Sequence, residues 1–97
     1  LSKTQHLGLQ AYREAAEKYG LLDERGEFAG VNIEDWRTVF YERHESKNHS
    51  TKKKAFQRAR DELIQDGELV CNGEMYKMGE GNELEENYIK QELHKRQ

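Results

Sequence analysis

A run of basic side chains near the middle of the chain is the sequence feature with the clearest chemical meaning. Six Lys or Arg residues and no acidic residue lie between Ser46 and Arg60, whereas the rest of the chain holds ten basic and nineteen acidic residues. A local charge of +6 therefore stands beside −9, which gives the net charge of −3. Clustered Lys and Arg side chains attract phosphate groups and are typical of nucleic-acid-binding surfaces. A solvated helix face is the other common interpretation of such a run.

The local pattern places this basic run on a helix. Ser50 or Thr51 can accept a hydrogen bond from a first-turn amide, and Gly67 can end the helix in the left-handed conformation. Apolar side chains recur at helical spacing on one face: Ala55, Phe56, Ala59 and Leu63. At about 100° per residue, most of the basic side chains point to the opposite face or to a flank. The basic side chains are therefore expected to face solvent or a partner.

Six residues of this helix and one residue just beyond it are the candidate DNA contacts: Lys52, Lys53, Lys54, Gln57, Arg58, Arg60 and Asn72. A major groove about 12 Å wide admits one α-helix. Lys53 and Lys54 are expected to anchor phosphates, and Gln57 and Arg58 carry the donors that recognise adenine and guanine edges. The expected partner is therefore duplex DNA, with Asn72 near a phosphate or the minor groove.

The segment after Gly67 changes from helical to strand periodicity. Glu68 to Met78 alternates around Asn72-Gly73, a pair that suits a type I′ turn. The predicted register pairs Leu69 with Tyr76 and Val70 with Met75. Leu69, Tyr76 and Met78 then share one face and can pack under the helices. A basic helix followed by a short hairpin is typical of the C-terminal half of a winged helix-turn-helix, in which the hairpin is the wing.

The N-terminal part of the chain supplies the two other helices that this fold needs. Ser2 and Gln5 form a capping box for a first helix that ends at Gly20. Asn32 caps a second helix that runs to about His44. Between them, residues 27–31 are predicted to form a short strand that completes a three-stranded sheet with the wing. The predicted fold of residues 1–78 is thus mainly α with a small β component.

Residues 79–97 are predicted to be a separate charged tail, helical from about 82 to 94. Asn82 can cap this helix. Its apolar side chains form only two i, i+4 pairs: Leu84 with Tyr88 and Ile89 with Leu93. Three alternatives stay open for this narrow stripe. It can dock on its own domain, pair with a second copy or another partner, or continue into further sequence.

The sequence offers little for catalysis or for metal and cofactor binding. It contains no phosphate-binding loop and no nucleophile beside a base, so no enzymatic activity is predicted. His44, His49 and Cys71 match no zinc-binding spacing, and no metal or cofactor is predicted. Trp36, Phe40 and Phe56 could stack on bases, but each lies on the inward stripe of its helix. We therefore predict that these three rings belong to the core.

Cysteine content and hydropathy bear on the compartment. A single cysteine excludes an internal disulfide and is typical of a reducing compartment. No apolar run approaches the roughly 20 residues of a membrane span. The sequence therefore predicts a cytoplasmic location with no membrane partner.

Three short motifs resemble one known family. These are Asp35-Trp36-Arg37, Val39-Phe40-Tyr41 and the stretch from Lys54 to Leu63, which reads Lys-Ala-Phe-Gln-Arg-Ala-Arg-Asp-Glu-Leu. Together with the opening helix, they resemble the winged-helix domain at the C-terminus of RepA-like replication ATPases of plasmids and prophages. The resemblance covers most of residues 1–78 and leaves the tail uncovered. It implies DNA as the partner and a context of DNA replication or mobile elements.

Two functions are therefore compatible with the sequence. The first is a DNA-binding winged helix, which the acid-free basic run favours. The second is a winged helix that binds protein or organises an oligomer without touching DNA. The acidic remainder of the chain and the two hairpin acids, Glu68 and Glu74, favour this second function.

Overall fold

The computed structural model describes residues 1–96 as four α-helices and a four-stranded antiparallel sheet. In chain order the elements are α1 (Lys3–Tyr19), β1 (Leu21–Leu22), β2 (Phe28–Asn32), α2 (Ile33–Arg43), α3 (His49–Gln65), β3 (Leu69–Asn72), β4 (Met75–Met78) and α4 (Glu83–His94). The strand order in the sheet is β1-β2-β4-β3. The prediction of a mainly helical chain with a small sheet is confirmed. None of the helices described is long and apolar enough to cross a bilayer.

The helix starts confirm two of the predicted caps and correct two others. The Ser2–Gln5 capping box is present, and the Asn32 side chain accepts a hydrogen bond from the Glu34 amide at 2.8 Å. Helix α3, however, starts before Ser50, because Asn48 is its cap. The Asn48 side chain accepts from the Thr51 amide at 3.1 Å. Asparagine is at least as strong a cap as serine or threonine, so the earlier start adds a capped turn.

The second predicted cap that the structure corrects is that of α4. Asn82 precedes α4, but its side chain makes no capping bond to the helix. Its side-chain nitrogen Nδ2 donates instead to the Gly79 carbonyl at 3.4 Å, within the turn that leads into the helix. The predicted span of the helix itself is confirmed to within one residue.

Two glycines end helices, for different physical reasons. Gly67 has φ +77° and ends α3 as predicted. Its amide donates to the Ile64 carbonyl, and the Glu68 amide donates to the Leu63 carbonyl. Gly20 also ends α1 as predicted, but in an extended conformation (φ −60°, ψ 153°) and not in a left-handed one. A Cβ at Gly20 would lie 2.4 Å from the Ala16 carbonyl oxygen. At this position, glycine is therefore needed for close packing.

The β3–β4 hairpin has the predicted faces but not the predicted register. The observed pairs are Leu69 with Met78, Val70 with Lys77, Cys71 with Tyr76 and Asn72 with Met75. The two-residue loop is therefore Gly73-Glu74, and only Gly73 has a positive φ, +66°. A glycine at the first loop position suits a type II′ turn, so the predicted type I′ turn is wrong. The register differs by two residues, which keeps every side chain on its predicted face.

The sheet contains one strand more than predicted. Strand β2 matches the predicted strand and pairs with β4, but β1 also pairs with β2. The turn between β1 and β2 is built on Asp23, whose carboxylate accepts from the Arg25 and Glu27 amides at 2.8 and 3.0 Å. These two backbone bonds lower the pKa of Asp23. They stabilise a tight turn, and the tight turn allows β1 to reach the sheet edge.

Helix α4 docks on its own domain, the first of the three alternatives. Ile89 and Leu93 are buried in the same core as α1 and the sheet. Arg13 on α1 forms an ion pair with Glu85 on α4. Leu84 and Tyr88, the other apolar pair, remain exposed. The narrow stripe is thus split between a core-facing pair and a solvent-facing pair.

The core is centred on the Trp36 side chain, which is fully buried. Its ring centroid lies 5.7 Å from Tyr12, 4.8 Å from Phe56 and 5.2 Å from Tyr76. Its indole N–H donates to the Gly8 carbonyl at 2.9 Å. Phe40 and Phe56 are also buried, so the prediction that these rings belong to the core is confirmed.

We predict that Tyr12→Phe lowers the free energy of unfolding by about 1–2 kcal/mol, because the Tyr76 carbonyl then loses a buried donor. The Tyr12 hydroxyl donates to that carbonyl at 2.6 Å and joins α1 to β4. Tyr88→Phe is the matched control: it removes the same atom from an exposed ring and should change stability by less than about 0.5 kcal/mol. Urea denaturation measures both variants. Equal effects of the two changes would contradict the assignment of this bond.

Candidate nucleic-acid interface

Helix α3 presents its polar side to solvent. Phe56, Ala59 and Leu63 are buried against the rest of the core, as their spacing predicted. The first turn of α3 contains no acidic residue. The helix therefore exposes a surface whose charge is positive near its N-terminal end.

Lys52 does not belong to this free surface. Its side chain is half-buried, and its ammonium group donates to the Tyr41 carbonyl at 2.9 Å. Tyr41 lies in the last turn of α2, where carbonyls lack helical partners. Lys52 thus joins the end of α2 to the start of α3. The sequence could not show this, because the two residues come together only through the packing of the helices.

Arg58 and Arg60 are each paired with an acid on the same helix. Arg58 Nε lies 3.4 Å from Glu62, an ion pair without a hydrogen bond. Arg60 donates to the Asp61 carboxylate at 3.0 Å, and this bond raises the pKa of Arg60. Asp61 is exposed, and a pair of this kind contributes only about 0–1 kcal/mol, so a phosphate can replace Asp61. Glu62 is half-buried, and Arg58 is its ion-pair partner.

Lys53, Lys54 and Gln57 are exposed, and none of them has an ion-pair or side-chain hydrogen-bond partner within residues 1–96. They are neighbours on about one turn of α3, next to the two arginines. Of the six predicted contacts on α3, these three are the most available to an external ligand.

A cleft runs along the flank of α3 that carries Lys53. A first cavity of about 80 Å³ lies between α2 and α3, and it is lined by Arg37, Tyr41, Lys53, Phe56, Gln57 and Arg60. A second cavity of about 380 Å³ continues towards the hairpin, and it is lined by Arg60, Asp61, Ile64, Gln65, Cys71 and Tyr76. Arg60 belongs to both cavities. The two cavities are adjacent at Arg60, and together they are called the cleft below.

Arg37 is a cationic residue of this cleft that is not among the seven predicted DNA contacts. Its guanidinium lies over the Phe56 ring, 5.5 Å from the centroid, and it forms an ion pair with Glu34. Arg37 and Tyr41 are one turn apart on α2, which the sequence shows. The sequence does not show that this side of α2 faces Lys53.

Asn72 lies at the end of β3, opposite Met75, and is exposed. The hairpin is adjacent to the second cavity through Cys71 and Tyr76. The second cavity therefore links Arg60 on α3 to the Cys71 and Tyr76 side of the hairpin. Asn72 does not line it, because successive side chains of β3 point to opposite faces of the sheet.

The three candidate metal ligands lie in separate environments. His44 packs near Phe40, His49 packs against Tyr41, and the Cys71 thiol bonds the Gly73 carbonyl. Across residues 1–96 there is no group of three or more His, Cys, Asp or Glu side chains placed to hold a metal ion.

No protein-family model, curated protein or solved structure matches this chain. The resemblance to RepA-like replication proteins therefore stays a prediction based on the short motifs quoted above.

We predict that Lys52→Ala lowers the free energy of unfolding by about 1 kcal/mol, because it removes a charged donor from the Tyr41 carbonyl. Lys53→Ala and Lys54→Ala remove the same side chain from exposed positions on the same helix. They should each change stability by less than about 0.5 kcal/mol. Chemical denaturation of the three variants measures the difference. A Lys52 variant as stable as the other two would show that the bond to Tyr41 contributes nothing.

Proposed function

We propose that this chain is a winged helix-turn-helix domain that binds duplex DNA through α3 and the β3–β4 hairpin. The order α1, β2, α2, α3, β3, β4 supports this fold, since β2 pairs with the second hairpin strand. Strand β1 and helix α4 are additions to this arrangement. The division of the chain near residue 78 stays a prediction, although α4 packs on the preceding part.

The observation that carries the proposal concerns Lys53, Lys54 and Gln57 on the acid-free part of α3: they are exposed and have no side-chain partner among residues 1–96. Elsewhere in residues 1–96, six basic side chains are paired with acids: Arg13, Lys18, Arg37, Arg43, Lys90 and Lys95. Lys and Arg side chains that neutralise phosphates release counterions, which supplies most of the affinity in non-specific DNA binding. Unpaired lysines on an exposed helix therefore have a physical use in contact with a polyanion.

The residues have distinct roles in the proposed complex. Lys53 and Lys54 anchor phosphates, and Gln57 and Arg58 reach base edges in the major groove. Arg60 and Asn72 contact the backbone on the hairpin side. Lys52 acts indirectly, because its bond to Tyr41 positions the start of α3.

The biological context rests on the resemblance in residues 1–78. We place the domain in a cytoplasmic DNA replication protein of a plasmid or phage. In this role it would bind DNA without catalysing a reaction itself.

We predict that Lys53→Glu combined with Lys54→Glu abolishes most binding to a labelled duplex in an anisotropy titration at about 50 mM salt and lowers the salt slope by roughly two. The new acids lie nearer the positive end of the α3 dipole, so the fold should remain intact. Circular dichroism checks this.

The matched control is Arg25→Glu with Lys95→Glu, which changes the net charge equally at two exposed positions on the α4 side of the molecule. This control should bind nearly as the parent does. If the two double variants bind DNA equally, α3 is not the DNA surface.

The exposed apolar pair on α4 favours a second function, binding to protein or to another copy of the chain. Leu84 is 89% exposed and Tyr88 is 54% exposed. Truncation at Met78 would not test this, because it would also expose the core around Ile89 and Leu93.

We predict instead that, if this pair forms an interface, Leu84→Gln with Tyr88→Gln shifts the sedimenting species to monomer without loss of helix content. A monomer at all concentrations of the parent chain would exclude self-association through α4.

A further inference from the structure

We infer that the cleft between α2 and α3 holds one strand of the DNA backbone, with Arg37 as its first phosphate anchor. This inference rests on the proposed function, and it adds a residue of α2 to the predicted contacts. The recognised group is the phosphodiester of duplex DNA, so Arg37 would position the helix without reading sequence.

The position of Arg37 is fixed before any ligand binds. Its guanidinium stacks over the Phe56 ring at 5.5 Å. Phe56 is itself held by the Trp36 and Phe40 rings, at 4.8 and 5.3 Å. The planar guanidinium placed over this ring carries a fork of N–H donors, which suits bidentate binding of a phosphate. Little side-chain entropy then remains to be lost on binding.

The acid beside Arg37 does not occupy the site permanently. Glu34 pairs with Arg37 from one turn away on α2, and its side chain is 71% exposed. An exposed pair of this kind is weak and screened by salt. A phosphate that approaches along the cleft can therefore displace Glu34 into solvent.

The cations along the cleft match the spacing of a phosphate backbone. Arg37 lies at one end beside Lys53, and Arg60 lies where the two cavities meet. Lys53 and Arg60 are seven residues apart on α3, which is about 10 Å at 1.5 Å per residue. Because a DNA strand winds around the helix axis, its adjacent phosphates are farther apart than their axial rise of about 3.4 Å. This length is therefore enough for contacts to two neighbouring phosphates.

The flank of α3 differs from its outer face because its cations come from two helices, although Arg37 and Arg60 each have an exposed acidic partner. On the outer face Arg58 is paired with Glu62. On the flank Lys53 has no acidic partner, and the neighbouring cation comes from a different helix. A cationic site shared by two helices can hold a phosphate between them, whereas a single exposed lysine can only attract it.

The first test compares Arg37→Gln with Arg25→Gln, which removes the same charge from the β1–β2 turn. That turn contacts α4 through Gly26 and Glu27, and it lines neither part of the cleft. Arg37→Gln should weaken binding to a labelled mixed-sequence duplex roughly threefold to tenfold and lower the salt slope by about 0.9. The slope for Arg25→Gln should equal that of the parent.

The second test predicts tighter DNA binding, a result that partial unfolding of the variant would not produce. Glu34→Gln removes the competitor of the phosphate and should tighten DNA binding more than Glu24→Gln, an equal change of charge in the β1–β2 turn. If Arg37→Gln disturbs the fold, Arg37→Met keeps an unbranched chain over Phe56 while removing the donors, and it should show the same loss of slope.

The outcomes separate this inference from the proposed function. If the parent binds DNA and the Arg37 and Arg25 variants have equal salt slopes, Arg37 is not a phosphate anchor, whereas the proposed DNA binding still holds. Equal effects of Glu34→Gln and Glu24→Gln would also argue against it. No binding of duplex DNA by the parent chain at low salt would overturn both proposals.

Discussion

The structure depends on the placement of one indole ring. Trp36 lies in the middle of α2, donates its N–H to the Gly8 carbonyl on α1, and contacts rings from α1, α3 and β4. A buried indole N–H without a partner would cost several kcal/mol, so the bond to Gly8 determines how α2 lies across α1. Gly8 serves the packing as well, because a Cβ there would lie 2.9 Å from the Ala59 Cβ on α3. A single region of α1 thus allows the close approach of both α2 and α3.

The features that the sequence predicted are those that depend on neighbours along the chain. The capping box at Ser2, the apolar face of α3 and the end of α3 at Gly67 involve residues within a few positions of one another. The hairpin shows where such reasoning stops. Alternation assigned each side chain to its face, but Asn72-Gly73 and Gly73-Glu74 are both plausible loops. The register then depended on whether Leu69 pairs with Tyr76 or Met78. Pairing with Met78 gives a ladder of four residue pairs that uses the whole of β4.

The interface was predictable only in part, for a related reason. Exposed lysines on α3 follow from helical periodicity alone. The internal role of Lys52 and the position of Arg37 depend on the crossing of α2 over α3, which no local pattern encodes. The same holds for the acidic residues. Their number suggested a surface unsuited to DNA. Several of them, however, form ion pairs with basic residues far from α3, as Glu85 does with Arg13 and Glu27 with Lys90. The net charge therefore describes the whole chain and not the surface that α3 presents.

Helix α3 is held at three points along its length, which bears on how it could recognise a ligand. Near its start Lys52 bonds the Tyr41 carbonyl, in its middle Phe56 packs on Trp36, and just beyond its end Asp66 accepts a hydrogen bond from Gln5 at 2.6 Å. A helix fixed in this way cannot turn about its axis to bring other side chains forward. The direction of Lys53 and Gln57 is consequently set by the fold, and ordering α3 adds little to the entropic cost of binding. Selectivity must then come from the side chains on this one face, and the backbone contacts beside it determine the depth and angle at which that face meets its ligand.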